Sequence, residues 1–453
     1  MIKLKLNQKI DVSSLVAFRI LMGLLMSFSM VRFMAKGWVN ELYVKPTYYF
    51  AYWGFSWIRP WPEWGMYLHF SILALLGLMV AAGLYYRFSV ALFFIGFTFI
   101  ELIDKSTYLN HYYFLSLVSF LMIFMPLHRS FSLDVWKKPG LKLSKFPAWP
   151  LAVLRAQIGL VYVFAGLAKL NPDWLLHALP LRLWLPGHSD IPILGSLFVL
   201  PITAYLMSWG GALFDLSIPL FLSWKKSRAL AYICVVVFHV LTWKLFRIGV
   251  FPWVMMIATL CFFSPDWPKR LYSKLRIKKT PHLNPESQFR NSAIRECRLN
   301  NFGIAALGIY FVFQVLFPFR YLIYPGNLFW TEQGYRFSWR VMLMEKTGSV
   351  DYTVFDPASK KTWLVSPRDY LTPRQHKQMS TQPDMILALA HHIAKDFAAQ
   401  GYPEVEVKAR VKTSLNGRPN RTLIDPQVNL AQANDGWLPK SWILPYSKGL
   451  SGK

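Results

Sequence analysis

The sequence predicts a polytopic α-helical membrane protein of about nine transmembrane helices, followed by a C-terminal, mainly β soluble domain. Three observations carry that prediction. Of 453 residues, 54% are hydrophobic and only 16% charged, whereas a soluble chain carries roughly 25% charged residues. Several apolar runs before residue 322 reach the length that crosses a bilayer, about 20 residues. From residue 324 onward the runs shorten and alternate with strand periodicity.

The basic N-terminus, Met1-Ile-Lys-Leu-Lys-Leu-Asn-Gln-Lys9, leads into a first apolar run at 15–33. No small-residue cleavage site follows it, so it is expected to be a retained span rather than a signal peptide. The loop from Trp38 to Trp64, with Trp53, Trp57 and Trp61 between, suits the membrane interface, where an aromatic body is apolar and its N–H stays wet. Spans at 66–85 and 88–103 turn at Arg87, and a polar cluster from Glu101 to His111 precedes a fourth span at 112–126. A basic connection at 128–149 leads to a span at 151–170. Pro172 should stop that helix, since it has no N–H to give and restricts Asn171. Runs at 197–224 (containing Asp215), 229–245, 248–263 and 302–322 complete nine, with a basic linker at 265–301 before the last. The domains are therefore 1–322 and 323–453. In the second, 350–355 and 405–412 read as strands, 384–399 as a helix and Asn416-Gly417 as a hairpin turn.

A formal charge of +27 could point to nucleic acid. On a membrane chain the preference of Lys and Arg for cytoplasmic loops accounts for it more simply. Alternating the spans puts Lys3, Lys5, Lys9, Arg87 and the clusters at 129–145, 225–228 and 269–298 on one side. The opposite loops hold only Lys36, Lys45, Arg59, Lys105, Arg182, Lys244 and Arg247. The expectation is a multi-pass protein of the cell (inner) membrane, N-terminus cytoplasmic and C-terminal domain extracytoplasmic. Cys234, Cys261 and Cys297 lie in or beside spans on the inner side, so no structural disulfide is expected. No CxxC or His/Cys spacing points to a metal site.

The same alternation gathers Asp104, Asn110 and His111, then Lys169, then His239 to Phe251, then the start of the exported domain at the outer face. Ionisable groups at membrane depth are expensive and usually line a cavity or a functional path. Each also has a plainer reading. Lys169, in the last turn of its span, can complement the helix dipole or snorkel to the interface. In apolar surroundings its ammonium form is disfavoured, which frees a neutral amine to act as a base. His111 is either a cap or interface residue or a proton carrier. Asp215 pairs with a buried cation or lines a cavity, and His239 reads as a satisfied packing histidine. The stretches Trp253-Val-Met-Met256 and Met342 to Met344 are core, or the lining that an apolar ring such as a quinone would want.

Long motifs occur in a fixed order: Leu102-Ile-Asp-Lys-Ser-Thr-Tyr-Leu-Asn-His111, Tyr162-Val-Phe-Ala-Gly-Leu-Ala-Lys-Leu-Asn-Pro-Asp-Trp174, Phe238-His239 and Leu245-Phe-Arg-Ile-Gly-Val-Phe-Pro-Trp-Val254. Phe263-Ser-Pro-Asp-Trp-Pro268, Tyr335-Arg-Phe-Ser-Trp339 and Asp425-Pro-Gln-Val-Asn-Leu430 follow. With these the chain resembles the vitamin K-dependent gamma-glutamyl carboxylases, in the compact form built on an HTTM domain. The resemblance implies a lyase that uses reduced vitamin K (the hydroquinone) with O2 and CO2. Lys169 would be the amine that deprotonates the hydroquinone, whose anion reacts with O2 on the way to the 2,3-epoxide. The strong base so formed removes a γ-proton from a peptide glutamate, and the carbanion captures CO2. Asn110 and His111 match the family's Asn-His pair, the histidine serving the carboxylation half. Phe251 and Met342 match positions lining the hydroquinone pocket.

The implied partners are a glutamate-containing exported peptide or protein, the quinol and membrane lipids, without nucleic acid. The chain departs from the family's pattern in places. Ala168-Lys169 stands for a double lysine, Met344 for a histidine and Lys346 for an arginine, and cysteines for a disulfide between outer loop and exported domain are missing. These departures bear on peptide recognition more than on quinol chemistry. Two alternatives therefore stand: a vitamin K hydroquinone epoxidase or monooxygenase without peptide carboxylation, and a non-enzymatic quinone- or lipid-binding membrane protein.

Overall fold

A computed structural model describes residues 5–246, 248–275 and 297–446. Lys3, Arg247 and the linker residues Arg276, Lys278, Lys279, Arg290 and Arg295 lie outside the described residues. Among the described residues seven helices are long and apolar enough to cross a membrane. They are α1 (Ser13–Ala35), α2 (Glu63–Ala82), α3 (Tyr86–Ile103), α5 (Trp149–Lys169), α6 (Pro201–Ser223), α7 (Arg228–Leu245) and α9 (Asn301–Leu316, continued by a 3-10 segment to Ile323). Two shorter apolar helices, α4 (Asn110–Phe124) and α8 (Phe251–Thr259, continued by a turn to Phe262), bring the apolar helices to nine. Apolar helices therefore stand at all nine expected positions, seven of them of spanning length.

Some ends move for identifiable reasons. Helix α8 starts at Phe251 rather than 248, because Gly249 turns the chain at φ +64° and Pro252 occupies the first turn. Helix α5 ends at Lys169, one residue before the expected stop. Asn171 instead caps the next short helix, Pro172–His177, by accepting from the Trp174 N–H. One side of the spans packs inward through Met22, Met26, Phe70, Phe93, Phe97, Met122 and Leu154, all nearly inaccessible. The other side leaves Leu75, Ile95, Leu206, Leu213 and Ile309 more than half exposed, an apolar surface that a bilayer would cover.

The C-terminal region holds an antiparallel sheet ordered β4-β3-β5-β6, from β3 (Lys346–Phe355), β4 (Thr362–Val365), β5 (Glu406–Leu415) and β6 (Arg421–Thr422). Strands β3 and β5 pair along their full length, with Val350 opposite Val411 and Tyr352 opposite Ala409. Period-two alternation turns Val407, Ala409, Val411 and Leu415 inward. They share a core with Ile386, Leu389, Ala390 and Ile393 of α11 (Pro383–Ala399), which follows α10 (Pro373–Met379). Asn416 and Gly417 both take positive φ at the β5–β6 turn, as an Asn-Gly hairpin requires. A small sheet of β1 (Lys9–Asp11) and β2 (Lys145–Pro147) joins the N-terminus to the connection before α5.

The core of the C-terminal region does not stop at its first strand. The same cluster takes in Trp174, Leu181, Ala204, Ala212 and Leu245 from the ends of α5, α6 and α7 and the loops between them. Polar clamps add to this. Gln375 donates to Asp104 (2.8 Å), Tyr48 donates to the Ala388 carbonyl (3.1 Å), and Arg418 and Asn416 hold Asp173 (2.8 and 2.7 Å). The soluble domain is thereby seated on one end of the helical bundle.

Candidate functional site

Lys169 closes α5, and its amine folds back one turn to the Ala165 carbonyl (3.3 Å). Side chains on a helix lean toward its N-terminus, so the amine lies at a depth its Cα does not reach. There it meets Asp215 of α6 at 2.6 Å, with both side chains under 10% exposed. Two backbone features permit the pairing. A Cβ on Gly166 would sit 2.9 Å from the Leu216 nitrogen, so the missing side chain lets α5 and α6 touch beside Asp215. Pro219, inside α6, has no N–H to return to the Asp215 carbonyl four residues back. Trp174 packs against the amine, with Nζ 5.4 Å from its ring centre, and ties its own N–H to the Ser208 carbonyl (2.7 Å).

The pair lies on the wall of a narrow, mostly apolar cavity. Its remaining walls come from Tyr162, Phe238, His239, Phe246, Phe251, Met255 and Met342. His239, on α7 and 2% exposed, bonds through Nε2 to the Tyr162 hydroxyl (2.9 Å). Among the described residues its Nδ1 has no hydrogen-bond partner. The packing histidine expected from the sequence is therefore only half satisfied, because α7 turns it toward the space between helices instead of into a closed core.

A second, larger cavity of about 570 Å³ lies between the bundle and the C-terminal domain. Asn110 and His111 line it at the start of α4. Asn110 donates to the Arg340 carbonyl (2.7 Å) and accepts from the Tyr108 hydroxyl (2.9 Å), which itself accepts from the Phe337 N–H (2.7 Å). Arg32, Lys105, Arg336, Arg340, Lys346 and Arg374 also line this cavity, against one carboxylate, Glu332. Several of these cations are anchored: Lys346 to Glu332 (2.7 Å), and Lys105 (3.0 Å) and Arg336 (2.8 Å) to Asp384. Burial works against the Asp384 carboxylate, yet Arg336 and Lys105 hold it well below the usual carboxylate range. Burial lowers the Lys346 amine below an ordinary lysine, against the opposing pull of Glu332.

Ile248, Phe251, Val341 and Met342 line both cavities and so form the partition between them. The His111 and His239 rings lie on Phe251 with centroids 5.7 and 5.9 Å away. The irregular segment carrying Met342 is strained. Phe337, Trp339 and Met342 all hold positive φ (58°, 60° and 55°) within six residues, a backbone that persists only where its surroundings over-determine it.

Residues 7–267 match the family described as HTTM domain, and residues 299–449 match the family described as vitamin K-dependent gamma-carboxylase, lumenal domain. The chain belongs to the vitamin K-dependent gamma-glutamyl carboxylase family. No solved structure matches it. In this carboxylase-family chain the first match spans α1 to α8, with Asn110, His111, Lys169 and Phe251, while the second holds Met342 and the sheet.

Of the residues singled out in the sequence, Lys169, Phe251 and Met342 surround the narrow cavity, and Asn110 and His111 the larger one. Asp104 lines neither. It is 1% exposed and spent on the Ser106 N–H and Gln375. Sequence reasoning missed Tyr162, Trp174 and the Lys105–Asp384–Arg336 group. Tyr162 and Lys169 are two helical turns apart on one face, a spacing that could have paired them. The ion group joins residues more than 200 positions apart, for which the sequence carries no local signal.

Proposed function

We propose that this protein is a membrane vitamin K-dependent gamma-glutamyl carboxylase acting on exported peptides, with the quinol in the narrow cavity and the glutamyl side chain in the larger one. The observation that carries the reading is the shared wall of Phe251 and Met342, with Lys169 on one side and Asn110-His111 on the other. A coupled reaction needs two chambers separated by no more than side chains. The narrow cavity suits an aromatic ring: its walls are apolar except at Lys169–Asp215, at Tyr162–His239 and at Thr242 and the Trp174 N–H, both of which are already bonded to backbone carbonyls. Bound there, the reduced quinone with O2 would supply the strong base that glutamate deprotonation requires.

The protein's part follows from its own groups. Lys169 and Asp215, 2.6 Å apart, share a direct hydrogen bond along which a proton can pass. A proton passed to Asp215 leaves a neutral amine able to accept one from a ring hydroxyl. The apolar walls exclude water that would quench a strong base. In the larger cavity the excess of cations attracts a carboxylate, and Asn110 fixes His111 by tying the start of α4 to the Arg340 backbone. The Lys and Arg distribution supports a cytoplasmic N-terminus and an extracytoplasmic C-terminal domain in the cell membrane.

The test is purified protein with reduced vitamin K, O2, labelled bicarbonate and a glutamate-rich peptide, epoxide and fixed label being quantified separately beside Lys169→Ala. Both products in the wild type, lost together in the variant, are expected. Their absence from folded protein overturns the reading. Met344, standing on the larger cavity where the family resemblance implies a histidine, favours one second reading, a quinol epoxidase without carboxylation. Epoxide without fixed label would be its signature.

A further inference from the structure

We propose that His239 and Tyr162 form a hydrogen-bonding pair for the second oxygen of a two-oxygen aromatic ring whose first oxygen meets Lys169; this rests on the quinol reading above. The narrow cavity has little polar capacity to offer. The Trp174 N–H is given to the Ser208 carbonyl, and the Thr242 hydroxyl to the His239 carbonyl (3.0 Å). Lys169 gives two of its three donors to Asp215 and Ala165, leaving one. His239 Nδ1 is a further polar atom left over, buried and without a partner among the described residues. A buried polar atom that stays unpaired is costly, so a ligand that meets both leftover groups is selected over one that meets only the amine.

Tyr162 also sets what Nδ1 can do. When Nε2–H donates to the phenol oxygen, Nδ1 is an acceptor and takes a ring hydroxyl. When the phenol donates to Nε2, Nδ1 carries the proton and gives it to a carbonyl. One dyad thus suits both the reduced ring and an oxidised one, with a tautomer change and no movement of side chains. Phe238 and Phe251 hold the imidazole edge-on, at 5.3 and 5.9 Å between centroids, and fix its plane. A ligand with a single polar end, a fatty acid or a monophenol, leaves Nδ1 unpaired. The cavity is therefore built to choose rings with two oxygens.

Binding, measured anaerobically so that no turnover occurs, separates this inference from the reading beneath it. The probes are 2-methyl-1,4-naphthohydroquinone and 2-methyl-1-naphthol, which lacks the second oxygen, each titrated by its own fluorescence against folded, detergent-purified protein. Wild type is expected to prefer the hydroquinone by about tenfold, the worth of one hydrogen bond. His239→Phe should bind the two rings alike, and His239→Asn, whose amide can stand where Nδ1 does, should keep the preference. A His239→Phe protein that still prefers the hydroquinone overturns the proposal, as does a wild type that binds both rings equally. A wild type that binds neither overturns the quinol reading along with it. Thermal unfolding of each variant is run alongside. If His239→Phe does not fold, loss of the preference in Tyr162→Phe supports the dyad, and an unchanged preference there overturns it.

Discussion

Lys169 and Asp215 are each other's reason for being tolerated in an apolar bundle. Removing one partner of a buried pair strands the other and costs about 3 kcal/mol or more, whereas replacing both is often nearly neutral. Lys169→Ala is therefore expected to lower the melting temperature in detergent, while Lys169→Ala with Asp215→Asn recovers most of the loss. Neither variant should form epoxide. Asp215→Asn alone keeps the amine but removes its proton acceptor, and epoxide formation is expected to fall more than tenfold with quinol binding retained. Equal melting temperatures for the single and double variants would show that the two side chains do not act as a pair. Asp215 was visible in the sequence as an acid in an apolar run, but its partner, 46 positions away, was not.

At the level of helices, the site depends on how closely α5 approaches α6. An Ala at 166 puts a methyl 2.7 Å from Leu216 Cγ and 2.9 Å from its nitrogen, so the helices must separate. Overpacking of this kind costs about 1–3 kcal/mol, and the separation stretches the Lys169–Asp215 contact. Gly159→Ala on the same helix is the control, because its methyl would lie 3.8 Å from Pro219, an ordinary contact. Gly166→Ala is expected to lose both thermal stability and turnover, and Gly159→Ala neither. A matched loss in both would trace the effect to glycine itself. The positions of α5 and α6 could be read from hydropathy, whereas their close approach at Gly166 could not, since a glycine in a span has many uses.

The whole molecule is a helical bundle with a sheet domain seated on it, and ion pairs hold the seat. Asp384 of the C-terminal domain binds Arg336 and, from the bundle, Lys105. Its carboxyl is held below its unfolded value of about 3.9. The sign follows from linkage. A depressed carboxyl stabilises the fold above the unfolded value, and that stabilisation drains away as pH falls below about 4. Asp384→Asn should melt lower than wild type at pH 7, and the gap should narrow progressively as pH falls below about 4. A gap independent of pH would remove Asp384 from the seat. Proteolysis of the C-terminal domain, faster in the variant at pH 7, gives a second measure.

The sequence by itself determined the nine apolar helices, the strands near 350 and 405, the Asn416-Gly417 turn, and the gathering of Asn110, His111, Lys169 and Phe251 at one face. Those features are written in local signals: hydropathy over a span length, period-two alternation, φ preference at a turn, and charge on alternate loops. Tertiary structure alone decided that Asp215 takes Lys169, that His239 keeps one nitrogen free beside Tyr162, and that Phe251 and Met342 wall off two cavities. It likewise spent Asp104 on holding the domain rather than on lining a cavity. Partners in a membrane core are chosen by which helix faces meet, and that meeting is set by close-packed contacts spread over the whole chain, with no period to read.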